Sequence, residues 1–160
     1  TFGKDGYYGI NPIVTEHKLE ENLMLVFTGF ARDSSQISST YELKPSIHNM
    51  MRQVQQGKEI LLFNRDIREF GKLLDDAWQE KKKLSPQISS TYIDFIYDTA
   101  RQNGAIGGKL LGAGGGGFML LFCEPAKQEA VKKSLKGMLW VPFRFEKLGS
   151  QIILNNGGSE

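Results

Sequence analysis

Cysteine is almost missing from this sequence: Cys123 stands alone, so no disulfide can form within the chain. It lies inside the apolar run 118–123 and reads as a buried, unreactive thiol. Histidine is nearly as scarce, and His17 and His48 with one cysteine do not make a zinc site, so no metal-ligating residues are assigned. No nucleophile-elbow motif supports a Ser-His-Asp triad. Long apolar runs are lacking too: none approaches the ~20 residues that span a bilayer, and no signal peptide is evident. The expected setting is a reducing cytoplasm, with no membrane partner. Neither sign of charge dominates, since 20 Lys and Arg against 18 Asp and Glu leave a formal +2. The run Lys81-Lys82-Lys83 is too short for a nucleic-acid tail, and no nucleic-acid partner is expected.

What remains is an ordinary globular composition. With 160 residues, 40% hydrophobic and 24% charged, the chain can build one domain with a real core but not two. It begins at Thr1 and enters a strand-like segment at once, as a piece of a longer protein would. We expect one domain over 1–154 and a flexible tail over 155–160.

Seven of the 18 glycines fall within residues 107–117, immediately before the apolar run. Such density lets the backbone adopt positive φ and approach another group without a Cβ in the way. One use is anion recognition by successive N–H groups in a tight turn; the other is close packing with no ligand. A P-loop is excluded, because Gly108-Lys109 is followed by Leu110 rather than Ser or Thr. The dinucleotide fingerprint is excluded as well, since the glycines precede a strand instead of following one.

The pattern elsewhere gives strands, three helices, a strand, a helix and two strands. Residues 7–10 and 13–15 look extended, and 22–28 reads as a buried strand. Residues 33–40 are a loop or a helix start. Pro45-Ser46 opens a helix with Ile47, Met50, Met51, Val54 and Leu61 on one face and Gly57 as a weak point. A second helix starts near Asp66, with Glu69 completing a capping box, and buries Ile67, Phe70, Leu74, Ala77 and Trp78. A third starts at Ser89-Ser90-Thr91, buries Tyr92, Ile93, Ile96, Tyr97 and Ala100, and stops at Gly104. After the glycine loop come the strand 118–123, a helix from Pro125 to Gly137, and strands over 141–146 and 151–154. This order implies an α+β sandwich, with helices on one face of a mainly antiparallel sheet.

The string Gly107-Gly108-Lys109-Leu110-Leu111-Gly112-Ala113-Gly114-Gly115-Gly116-Gly117-Phe118 resembles the C-terminal glycine motif of the GHMP kinases, which act on galactose, homoserine, mevalonate and phosphomevalonate. Thr28-Gly29 with Arg32, Trp78 with Lys81, Lys82 and Leu84, and Val141-Pro142-Phe143-Arg144-Phe145 are similar to the heptose 7-phosphate kinase type. The resemblance implies a ferredoxin-like C-terminal domain of an ATP-dependent sugar or sugar-phosphate kinase, with Mg²⁺ accompanying the ATP. It also implies an N-terminal kinase domain as partner, carrying the main phosphate loop and any catalytic aspartate. Neither motif occurs in this sequence, so the catalytic residue is unassigned. This chain alone is expected to be inactive and to bind ATP weakly. Where the other half packs, an apolar patch should be exposed, through which the chain can self-associate.

By the same resemblance, Gly112, Ala113, Gly114, Gly115, Gly116 and Gly117 border the ATP and acceptor phosphates and offer backbone N–H groups to the transferring phosphoryl. Four cations are candidates for the substrate. Lys81 and Lys82 either offset the C-terminal end of a helix dipole or contact a phosphorylated sugar. Arg32 either presents its planar fork to a phosphate or carboxylate or makes a surface ion pair, and Lys109 points to phosphate or to water. Asp75 and Asp76, adjacent on a helix, read as a solvated face. Alternatives from other classes are an anion- or partner-binding module without catalysis and a purely structural or dimerisation domain. Another acceptor, galactose or mevalonate, is the alternative within the class.

Overall fold

The computed structural model describes residues 13, 15, 17–30, 34–41 and 46–146. A 3₁₀ turn, Glu20–Asn22, leads into β1, Leu23–Phe27; then come α1, Ser34–Ser38, α2, Ser46–Leu62, α3, Arg68–Lys82, and α4, Thr91–Gln102. β2, Gly107–Leu110, and β3, Phe118–Phe122, form a hairpin around the glycine loop, followed by α5, Pro125–Ser134, and β4, Leu139–Trp140. The strands lie in the order β2-β3-β1-β4, each antiparallel to its neighbour. β3 is thus inserted between β1 and β2, which is the split β-α-β arrangement of ferredoxin-like sandwiches. The α+β class expected from the sequence is the class observed.

Alternation along the strands separates the two faces. Met24 and Val26 of β1, Met119 and Leu121 of β3, and Leu110 of β2 are buried, and they pack in one core with Ile93, Ile96 and Ala100 of α4 and Val131 of α5. Trp78 of α3 joins them, its ring 6.3 Å from that of Tyr97. On the other face, Phe27 and Phe118 stack at 5.2 Å, with Phe118 40% exposed.

α4 starts as its sequence indicates: Ser90 is the N-cap and its hydroxyl accepts from the Ile93 N–H at 3.3 Å. Tyr92, expected inside, is exposed, because this start turns Ile93, Ile96, Tyr97 and Ala100 inward at helical spacing. The stripe expected on α2 is also turned: Met51 and Val54 face solvent, while Gly57 and Ile60 are buried. Gly57 is the contact point, since a Cβ there would lie 3.2 Å from Leu73 of α3. The capping box expected at Asp66 does not form: Ile67 is the N-cap with no side-chain bond, the Asp66 carboxylate accepts from the Arg68 N–H at 3.0 Å, and Glu69 pairs with Arg65.

Two strand assignments need correction. Residues 107–110, taken with the glycine loop, are β2, and the last described strand is Leu139–Trp140 rather than 141–146. Beyond it, among the described residues, the Val141 N–H continues the ladder, donating to the Leu25 carbonyl at 2.8 Å. Residues 33–40 contain the short helix α1. The segments expected at 7–10 and 151–154, and the tail 155–160, lie outside the described residues.

Candidate functional site

The glycine loop joins the edge strand β2 to β3, and its conformation follows from its composition. Gly112, Gly114, Gly115 and Gly117 all have φ between +67° and +121°, a region that side chains other than glycine rarely enter. Leu111 extends the β2–β3 ladder, its N–H donating to the Phe118 carbonyl at 2.8 Å, and the chain leaves the sheet at Gly112.

Each part of the loop is held from a different element. At its far end the Gly117 N–H donates to the Phe30 carbonyl at 2.7 Å, and the Gly117 carbonyl accepts from the Thr28 N–H at 2.8 Å and the Thr28 hydroxyl at 2.9 Å. In the middle, the Gly115 N–H donates to the Ile88 carbonyl at 2.8 Å. At its start the Lys81 ammonium donates to the carbonyls of Leu110 and Gly112, at 2.8 and 2.6 Å. The Tyr41 hydroxyl donates to the Ala113 carbonyl.

These bonds divide the loop's backbone donors into two sets. Gly115 and Gly117 use their N–H groups internally. Among the described residues no hydrogen-bond acceptor is found for the N–H groups of Gly112, Ala113, Gly114 and Gly116. The Gly112, Ala113 and Gly117 carbonyls are held, and successive free N–H groups in a turn are the donors from which anion-binding concavities are built. Of the residues 112–117, Gly115 and Gly117 have their N–H groups engaged within the protein and the other four do not, among the described residues.

The candidate cations separate as well. Lys81 is neither solvated at a helix end nor open to a substrate: it is 6% exposed, spent on the loop carbonyls, and its pKa is lowered to about 8 by burial and by the charge of Lys109. Lys109 sits half-buried on β2 opposite Leu120, its pKa lowered by burial, and it has no ion-pair or hydrogen-bond partner among the described residues. Lys82 is engaged elsewhere, 3.4 Å from the Asp94 carboxylate and 5.6 Å above the Trp78 ring. Arg32 lies outside the described residues.

Asp75 is not a solvated residue. Its carboxylate accepts from the Tyr97 hydroxyl at 2.6 Å and from Gln79 at 2.9 Å, and Arg101 approaches to 3.3 Å. Cys123 is buried, and desolvation pushes its thiol up to about 11, which fits the inert role expected. No three His, Cys, Asp or Glu side chains among the described residues converge on a metal site. No helix among them is long and apolar enough to cross a membrane.

A glycine loop pinned at both ends between β2 and β3 of a ferredoxin-like sandwich matches a known family. The model described as GHMP kinases C terminal matches residues 58–139, half of the chain, and spans α3, α4, the loop and α5. The chain belongs to the GHMP kinase C-terminal family. Among the curated relatives of this chain is the D-glycero-alpha-D-manno-heptose 7-phosphate kinase of Campylobacter jejuni, 30% identical over 138 residues. The match covers 79% of this chain and 40% of that protein. The bifunctional fucokinase/GDP-fucose pyrophosphorylase of Arabidopsis thaliana is 29% identical, over 69% of this chain and 11% of its own length. The fold is also that of L. major mevalonate kinase in complex with R-mevalonate, with a TM-score of 0.72 at 22% identity, covering 86% of this chain and 46% of that one. The chain thus spans less than half the length of each.

Sequence reasoning missed Tyr41, Ile88 and Phe30 as partners of the loop. Ile88 and Phe30 act through backbone carbonyls, which leave no trace in side-chain identity. Thr28 was marked by its place beside Gly29, without the role of its hydroxyl.

Proposed function

We propose that this chain is the C-terminal part of an ATP-dependent sugar-phosphate kinase that transfers the γ-phosphoryl group to a hydroxyl of a heptose 7-phosphate-type acceptor. The observation that carries this reading is the set of four N–H groups, at Gly112, Ala113, Gly114 and Gly116, that find no acceptor among the described residues, on a loop whose Gly112, Ala113 and Gly117 carbonyls are held in place. In phosphoryl transfer, charge spreads over the equatorial oxygens, and catalysis depends on positioning and on donors that are already aimed. A loop held from α3, from the segment before α4 and from the end of β1 does not have to reorganise when the phosphoryl arrives. Lys109, close enough to Lys81 to lower its pKa, adds a cation that has no carboxylate partner among the described residues.

The four donors suit a phosphate of ATP or of the acceptor. Magnesium bound with the ATP would take its ligands from the nucleotide and from groups outside the described residues, and would supply further neutralisation of phosphate charge. The base that accepts the hydroxyl proton is assigned to the N-terminal half. Support for that half comes from the open sheet face. There Leu139, Phe27 and Phe118 stand in register across β4, β1 and β3, and Leu111 follows opposite Phe118. Leu139, Phe118 and Leu111 are 61%, 40% and 37% exposed, an apolar row beside the glycine loop that another domain would cover.

The choice of acceptor is supported by the curated relatives, one named a heptose 7-phosphate kinase and one a fucokinase; the mevalonate kinase likeness bears on the fold. ADP release, measured with this chain joined to its nucleotide-binding half, tests the choice. Turnover should depend on a heptose 7-phosphate and should be at least tenfold faster than with mevalonate at about equal concentration. Turnover with mevalonate alone, or ADP release that ignores every acceptor, would overturn the assignment.

A further inference from the structure

Lys81 holds the glycine loop through a charged side chain. The bonds from Thr28, Phe30 and Ile88 use main-chain groups in whole or in part, whereas the start of the loop rests on a side-chain ammonium. That ammonium is buried, and none of its hydrogen bonds goes to a carboxylate. A desolvated charge with no carboxylate partner among the described residues is costly, and an apolar side chain of similar volume would remove that cost. The same replacement would leave the Leu110 and Gly112 carbonyls unpaired, so what keeps a lysine here is the pair of hydrogen bonds it donates to the loop.

What the ammonium does is set by the geometry of the peptide group. In a planar trans peptide the C=O and the following N–H point in opposite directions. The Gly112 carbonyl, drawn onto Lys81 at 2.6 Å, shares its peptide plane with the Ala113 N–H. Holding the carbonyl inward aims that N–H outward. Tyr41 does the same one residue later, since the Ala113 carbonyl it binds shares its plane with the Gly114 N–H. Both N–H groups belong to the unpaired set.

We propose that Lys81 is a positioning residue: by fixing the Leu110 and Gly112 carbonyls it aims the Ala113 N–H, and with Tyr41 the Gly114 N–H, at the transferred phosphoryl group. This rests on the kinase reading for the identity of the anion, but not for the effect on the loop. The role belongs to the hydrogen bonds that the ammonium donates, so a cation without N–H cannot perform it.

The test uses K81M and K81A in the protein that carries its nucleotide-binding half. Hydrogen exchange is followed over residues 107–118, with residues 23–27 as internal control. In K81M the amides of Leu111 and Gly115 should exchange at least about tenfold faster, with the control unchanged. The kcat should fall by about a hundredfold, while KM for the sugar stays within about threefold. Propylammonium, which replaces the atoms missing in K81A, should restore at least a tenth of the lost kcat, and tetramethylammonium at equal concentration should not. A K81M protein with wild-type loop exchange and kcat overturns the proposal. So does a K81M chain that fails to fold together with a K81A chain that propylammonium does not rescue, because Lys81 is then a structural plug. If the wild-type protein transfers no phosphoryl group, the kinase reading fails by itself, and the exchange comparison still decides the role of Lys81.

Discussion

A lysine and an aspartate show how far a residue's neighbours redefine it. Lys81 has the sequence position of a solvated helix-end cation, yet its ammonium is bound to carbonyls 29 and 31 residues away. Nothing local encodes that return of the chain, so the sequence leaves its role open. Asp75 sits beside Asp76 on α3, and there too the partners, Tyr97 and Arg101, come from the next helix. Burial pushes the Asp75 carboxyl up, but the bonds from Tyr97 and Gln79 and the charge of Arg101 outweigh it, and the net shift is downward. A carboxyl whose folded pKa is depressed contributes stability that is present above its unfolded pKa and lost as pH falls through the folded value. Urea midpoints measured from pH 7 downward should therefore drop below the ordinary Asp value of 3.8. D75N should be less stable at pH 7 and should show a shallower acid limb. An acid limb of unchanged slope in D75N would mean that the network is not formed in solution.

Among the elements, α3 is the one on which the site depends. It carries Trp78 into the core and Lys81 to the glycine loop, and it lies along β2 with almost no space between the backbones. A Cβ at Gly107 would fall 1.9 Å from the Gly71 carbonyl oxygen, and one at Gly71 would meet Phe122 and Ile106 at 2.7 and 2.9 Å. G107A should therefore destabilise the fold by about 3 kcal/mol or more, because backbone cannot move aside as a side chain can. At Gly112 a Cβ meets nothing within 4 Å, and the only cost is its φ of +67°. G112N should lose about 1 kcal/mol or less, since Asn tolerates that region. Thermal melts of the two variants separate the effects; equal losses would contradict the close approach of α3 and β2. Helix starts and stops were legible in the sequence, because Ser90 and Pro125 act locally. The inward faces were legible in α4 and not in α2, which packs through a glycine that no hydrophobic pattern reveals. β2 was hidden for the same reason: its two glycines read as loop, although Gly107 admits the backbone of α3 and Gly108 lies tight against Leu120 and Leu121 of β3.

For the whole molecule, the order of elements was enough to give the α+β class, and the glycine string led to the family. The topology adds why the string works where it does: the β2–β3 hairpin places it at one end of the sheet, beside Phe30 and Ile88 and at the margin of an uncovered apolar row. Composition gave no sign of that row, which depends on strand register. The loop is therefore shaped in advance, but four N–H groups and a half-buried lysine are few contacts for a nucleotide. Calorimetric titration of the 160-residue chain with Mg-ATP, repeated after addition of the N-terminal half, tests this most directly. The prediction is no measurable binding by the chain alone, then binding and acceptor-dependent ATP turnover once the other half is present. Tight, stoichiometric binding of Mg-ATP to this chain by itself would contradict the account and make the glycine loop a complete phosphate site.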